Sequence, residues 1–121
     1  MSFIHMVGMI CPPEKEEKFN QWYNEKHVPA LMKFNGVKRA IRYRMAAKTP
    51  AGETQSALTV AKESYPKFLA VYEFGDQQSF QRYEKSPEHA AVREDWLAAK
   101  DDLGAEIFWR VQYESIRAWE R

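Results

Sequence analysis

The sequence predicts an α+β domain with the element order β-α-β-β-α-β, on three observations. Four segments read as strands: Phe3 to Ile10, Val37 to Ala46, Phe68 to Phe74 and Ile107 to Trp119. Between them, Phe19 to Phe34 and His89 to Leu103 carry apolar residues at helical spacing. Breakers and caps punctuate the boundaries at Cys11-Pro12-Pro13, Gly36, Gly75-Asp76, Ser86-Pro87 and Gly104. This order is that of the ferredoxin-like split βαβ arrangement: a four-stranded antiparallel sheet with helices on one face, in one domain over residues 1–121.

The first strand is apolar on both sides. Phe3, His5, Val7 and Met9 face one way, and Ile4, Met6, Gly8 and Ile10 the other. Two helices cover only one face of a small sheet, so the other calls for a second copy, packed sheet on sheet as a homodimer. Glu14, Glu16 and Glu17 then open a helix, where acidic groups suit the positive end of the dipole. Its stripe is Phe19, Trp22, Tyr23, Ala30, Leu31 and Phe34. Pro29 has no N–H and its ring clashes with the preceding turn, so the helix is expected to break at His27-Val28-Pro29, restart for about one turn, and stop at a left-handed Gly36.

Strict alternation is expected in the second strand, with Val37, Arg39, Ile41, Tyr43 and Met45 opposite Lys38, Ala40, Arg42 and Arg44. Lys48 to Ser64 reads as a polar connection turning at Pro50-Ala51-Gly52; Ser56 to Val60 within it fits a short strand or a helical turn equally. Phe68, Ala70, Tyr72 and Phe74 share one side of the third strand. Asp76 caps a short helix through Phe80 and Tyr83, and Ser86-Pro87-Glu88 is a stronger start, with cap, proline and acid in sequence. Gly104 closes that helix. In the last strand Ile107, Trp109, Val111 and Tyr113 alternate with Phe108, Arg110, Gln112 and Glu114.

Bulk composition excludes several functions. Eighteen basic against seventeen acidic side chains leave no electrostatic footprint for nucleic acid or an anionic membrane. No apolar run is long enough to span a bilayer. The N-terminus lacks the basic start and small-residue cleavage site of a signal peptide, so a cytoplasmic location is expected. A single cysteine, Cys11, excludes an internal disulfide framework and has no activating neighbour. Metal-ligand spacings, Gly-rich nucleotide loops and the Gly-x-Ser-x-Gly elbow are absent, so neither metal nor cofactor is expected. Four Trp, six Tyr and seven Phe exceed what a modest core needs, which points to an aromatic-lined pocket, a large interface, or both.

Three histidines carry the candidate chemistry. His5 shares a strand face with apolar residues. His89 stands in the first turn of its helix, where the dipole disfavours imidazolium. If His5 points toward the helices, the two share one cavity with Tyr72 on the neighbouring strand, a set suited to acid–base chemistry near neutral pH. His27, at the kink beside Trp22 and Tyr23, would line the entrance of a small-molecule site together with Trp96. Arg42, with Arg39 and Arg44, offers a clamp for a substrate carboxylate. Plainer readings stand beside these: hydrogen-bonded core histidines, a His27 ring bonded to carbonyls freed by Pro29, Tyr72 and Trp96 as core, and a solvated arginine face.

With those residues in place, the chain resembles the EthD-like group of the dimeric α+β barrel superfamily over nearly its whole length. The most specific match is Trp22-Tyr23-Asn24-Glu25-Lys26-His27-Val28-Pro29, followed by Phe34-Asn35-Gly36-Val37 and Arg39-Ala40-Ile41-Arg42-Tyr43-Arg44. Ser86-Pro87-Glu88-His89 is similar to the Pro-x-His helix start of the superfamily's stress-responsive proteins and plant polyketide cyclases, in which a first-strand histidine and the Pro-x-His histidine form the catalytic pair. His5 and His89 occupy the corresponding places. Those cyclases lack the Trp-Tyr…His-x-Pro helix, and the superfamily also holds cofactor-free monooxygenases, dehydratases, isomerases and haem degraders.

The first expectation is thus a cofactor-independent enzyme acting on an aromatic, phenolic or quinone-like compound. His5, His89 and Tyr72 would be catalytic; Trp22, Tyr23, His27, Trp96 and Arg42 would bind substrate. A non-catalytic dimer holding a hydrophobic metabolite or supporting a partner enzyme is the alternative. Haem binding through His27 or His89 is a third.

Overall fold

A computed structural model describes residues 2–47 and 65–121. The connection expected from Lys48 to Ser64, including Ser56 to Val60, lies outside the described residues. Four strands form one antiparallel sheet: β1 (Phe3–Ile10), β2 (Val37–Arg44), β3 (Phe68–Phe74) and β4 (Glu106–Glu114), in the order β2-β3-β1-β4. A short 3₁₀ turn (Pro13–Lys15) leads into α1 (Glu16–Trp22), a π-helical segment (Tyr23–His27) and α2 (Val28–Leu31); α3 (Gln77–Glu84) and α4 (Pro87–Leu103) separate β3 from β4. The ferredoxin-like expectation is met, with β1 central.

Register explains which residues meet the helices, because directly opposed residues of an antiparallel pair share a face. Phe3, His5, Val7 and Met9 stand opposite Phe74, Tyr72, Ala70 and Phe68, and all eight are buried. Phe19 and Tyr23 of the first helical run close over them, and with Tyr72 and Phe74 they are the largest fully buried side chains. The other face carries Ile4 and Met6 between Glu73 and Val71 of β3 on one side and Tyr113 and Val111 of β4 on the other, with Leu69 opposite Gly8 and Ile41 and Tyr43 beyond. No described helix covers it.

Two register shifts overturn the expected alternation. Between Val37 and Arg39 the pairing with β3 slips, so Val37 is buried against the helices while Arg39, Ile41 and Tyr43 point to the other face. Ala40 and Arg42 thereby join the helix side, opposite Tyr72 and Ala70. A second shift at Gly8/Met9 sets Trp109 opposite Gly8 and Ile107 opposite Met9, which puts Ile107 and Trp109 on opposite faces. Phe108 is the extra residue of that bulge. Gly8 has no room for a Cβ, which would lie 2.6 Å from Pro66 Cγ and 3.0 Å from the Trp109 ring.

The first helix does not break at Pro29. In a regular α-helix the proline ring would press on the Glu25 carbonyl and leave it without a donor. The chain instead widens into a π turn just upstream, with Val28 N–H donating to Tyr23 O, and runs on helically to Leu31. Gly36 is not left-handed either; Gly104, with φ 61°, is the one described residue with positive φ. What Gly36 supplies is space, since a Cβ there would sit 2.5 Å from the Phe34 ring and 2.9 Å from Ser79 Oγ.

Caps follow the sequence more closely. Ser79 N–H donates to Asp76 Oδ1 at 2.7 Å, and His89 N–H to Ser86 Oγ at 3.1 Å. β4 ends at Glu114 and not at Trp119, because Glu114 is the partner of Phe3, where β1 begins. After a last bond from Ser115 N–H to Ser2 O, the tail leaves the sheet with Ile116 and Trp119 exposed.

Candidate functional site

All three histidines line one cavity of about 500 Å³ between the sheet and the helices. β1 supplies His5, the π segment His27 and α4 His89. Tyr23, Tyr72, Phe80, Tyr83 and Trp96 make the wall aromatic, and Val7, Met9, Leu31, Val92 and Ile107 complete its apolar part. The exposed lining residues Glu84, Arg93, Leu97, Arg110 and Gln112 form its mouth, between α3, α4 and the edge strand β4.

His5 is 8% exposed and stacks at 6.1 Å on Tyr72, its cross-strand partner, with the tilted Phe80 ring at 4.9 Å. Its Nδ1 is 3.0 Å from Gln112 Nε2. An amide nitrogen only donates, so Nδ1 is the acceptor and the ring proton sits on Nε2. Burial, then the charges of Arg110 and His89, lower its pKa from 6.5 to about 4. At neutral pH His5 is an uncharged ring whose remaining polar group is a donor.

The π turn has a direct consequence for His27. On an α-helix the facing neighbours are three and four residues apart; the wider turn brings residues five apart together, and Trp22 stacks on His27 at 4.7 Å and 26°. Tyr23 meets the same ring edge-on at 4.7 Å. Nδ1 of His27 is buried and has no hydrogen-bond partner among the described residues, so the reading in which the ring simply satisfies carbonyls freed by Pro29 does not describe this nitrogen. Burial first, then Arg42 and Arg110, hold its pKa at about 4. The ring forms part of the wall, and the mouth is built by other residues.

Tyr72 is 1% exposed, and its hydroxyl donates to Tyr23 Oη over a long 3.4 Å. Burial pushes both phenols up, so both keep their protons. His89 presents its ring edge-on to Tyr83 at 5.1 Å, from a backbone anchored by the Ser86 cap.

Of the expected site residues, His5, His27, His89, Tyr23, Tyr72 and Trp96 line the cavity together. Trp22 stands behind His27 and does not line it. Neither does Arg42, whose guanidinium lies 4.4 Å over the Tyr23 ring and donates to Asn24 and Asn20 Oδ1, each at 2.8 Å. It fastens the first helical run to the sheet. Sequence reasoning missed Gln112, Arg110, Glu84 and Arg93. The signal for the first two was present: once β4 lies antiparallel beside β1, the polar residues of β4 fall on the His5 face. Among the described residues, no group of three or more His, Cys, Asp and Glu is placed to hold a metal ion, and no helix is long and apolar enough to cross a membrane.

Comparison with solved structures finds this fold over nearly the entire chain. An ethyl tert-butyl ether degradation (EthD) family protein from Bacillus halodurans is similar at 18% identity and TM-score 0.64, covering 94% of this chain and 99% of its own. A dimeric ferredoxin-like protein of unknown function from Bacteroides fragilis matches at 16% identity and TM-score 0.57, over 94% and 96% of the two chains. SnoaB, a cofactor-independent oxygenase from Streptomyces nogalater, matches at 12% and TM-score 0.55, over 99% and 96%. The fold is therefore that of the EthD-like, dimeric α+β barrel proteins. No curated protein matches the chain. A family model described as a domain of unknown function, DUF4286, matches residues 2–100, and the chain belongs to that family.

Proposed function

We propose that the protein is a cofactor-independent enzyme acting on an aromatic, phenolic or quinone-like compound by general acid–base chemistry. One observation carries the reading: every histidine of the chain borders a single aromatic-walled cavity of about 500 Å³, a volume ordinary for small-molecule sites. Aromatic walls suit a flat substrate, and the polar groups among them are poised differently. His89 is the general base in this reading. His5, with its proton on Nε2, and the Tyr23–Tyr72 hydroxyl pair donate to substrate oxygens. The similarity to a cofactor-independent oxygenase and to an EthD family protein supports the fold's suitability for such chemistry.

The enzyme acts as a homodimer joined through the outer sheet face. Ile4, Met6, Ile41, Leu69, Val71 and Val111 share that face, which no described helix covers, and contiguous apolar surface of this kind marks an interaction site. The Bacteroides fragilis protein of the same fold is dimeric, which supports this assembly.

A panel of di- and trihydroxylated naphthalenes and anthracenes, followed by absorbance and oxygen uptake, tests the activity. Turnover that falls at least a hundredfold in His89→Ala while ligand binding persists is expected. Binding without turnover of any panel member leaves a non-catalytic carrier as the better description. Turnover untouched by His89→Ala removes the base assignment.

A further inference from the structure

We propose that the mouth of the cavity is an anion site, in which Arg110 receives a carboxylate or phenolate oxygen of the aromatic ligand and His5 supplies the second donor. The proposal rests on the reading of the cavity as a small-molecule site and names the class of ligand it takes: an aromatic acid or a phenol bound as its anion.

The placement follows from register. Val7 stands opposite Arg110 and His5 opposite Gln112, so Arg110 is the diagonal neighbour of His5 on the face turned toward the helices. Both side chains line the cavity. Glu84 is the one carboxylate in the lining, yet no carboxylate among the described residues lies within ion-pair distance of Arg110 or of Arg93 across the mouth. Two guanidinium groups against one carboxylate leave this opening net positive. Arg110 acts well beyond the mouth: its charge lowers the pKa of His5 and His27 and favours the anionic form of Tyr23 and Tyr83. A ligand anion seated there would be felt by the same groups in the opposite sense. Gln112 sharpens the arrangement, because its bond to Nδ1 of His5 turns that ring into a donor toward an anion. A guanidinium beside an imidazole N–H is complementary to an oxyanion.

The test compares 2-naphthoate with its uncharged isostere 2-naphthamide by titration calorimetry at low salt, using the full chain and its Arg110→Gln and Arg110→Lys variants. Wild type is expected to prefer the acid about fivefold or more, Arg110→Lys to retain part of the preference, and Arg110→Gln to lose it while binding the amide as before. Equal binding of acid and amide by wild type overturns the anion site and leaves the aromatic cavity standing. A preference that survives in Arg110→Gln overturns the role of Arg110. If wild type binds neither probe at millimolar concentration, the small-molecule reading of the cavity fails and this proposal with it. Should Arg110→Gln not fold, judged by circular dichroism, the wild-type and Arg110→Lys comparisons decide alone.

Discussion

Gln112 Nε2 donates to His5 Nδ1 at 3.0 Å across the β1–β4 pair, where the two residues stand directly opposite one another. A neutral imidazole has one acceptor and one donor nitrogen, so a neighbour that only donates chooses the tautomer. Gln112→Leu is expected to remove that choice at a stability cost of about 1 kcal/mol. Long-range ¹H–¹⁵N correlation of the imidazole nitrogens reads the result: protonation at Nε2 in wild type, a mixture in the variant. An identical pattern in both would show that another group sets the tautomer.

The two low-pKa histidines make stability depend on pH. His5 and His27 both titrate near 4 when folded, against an ordinary value of 6.5. Between these values the unfolded chain binds more protons than the folded one, so stability rises with pH across that window. It is complete above about pH 6.5 and falls as the pH drops toward 4, by at most roughly 3 kcal/mol per ring. His27→Phe keeps a flat ring against Trp22 and removes one titration. Urea midpoints measured from pH 7 to pH 4 should therefore fall less steeply in the variant. Parallel curves would mean that His27 titrates normally in the folded protein.

The Ser86 hydroxyl has two bonds at the α3–α4 junction: it donates to Tyr83 O at 2.6 Å and accepts from His89 N–H at 3.1 Å. Ser86→Ala should cost about 1 to 2 kcal/mol by losing the cap. It should also loosen the backbone that carries the His89 ring. The expected signature is a lower melting temperature together with faster amide exchange at His89. A protected His89 amide would show that packing alone holds this turn.

Val71 sits on β3 opposite Met6 and Ile41 in the middle of the outer sheet face. Val71→Glu would bury an unpaired carboxylate in a sheet-on-sheet interface, at a cost of several kcal/mol. Light scattering after size exclusion is expected to show a dimer for wild type and a monomer for the variant. A wild-type monomer at high micromolar concentration would remove the dimer from the proposed function.

Much of the fold was legible because its elements depend on local chemistry. Apolar periodicity marks β1, β3 and α4 to within a residue or two, and the caps at Asp76, Ser86 and Gly104 were readable because each acts within one turn. The misreadings share a different origin. The slips at Val37/Arg39 and Gly8/Met9 arise from how two strands fit together, and a strand read alone shows only an unbroken alternation. The π turn before Pro29 is a third case. Proline forbids a regular helix, but packing of Phe19, Tyr23 and Leu31 on the sheet favours widening the turn over breaking it.

By itself, then, the sequence determined the element order, which residues of β1 and of β3 share a face, and the three histidines as the chemistry worth following, while which of the two apolar β1 faces meets the helices was left to the structure. Each of these depends on residue type and spacing along a short stretch of chain. Tertiary structure alone decided that the three rings border one cavity, that Arg42 fastens a helix, and that Arg110 and Gln112 stand beside His5. Those relationships join residues as far apart as His5 and Gln112: helix-on-sheet packing sets the first two and strand pairing the third. A cross-strand neighbour is separated from its partner by most of the chain and carries no local mark of the pairing.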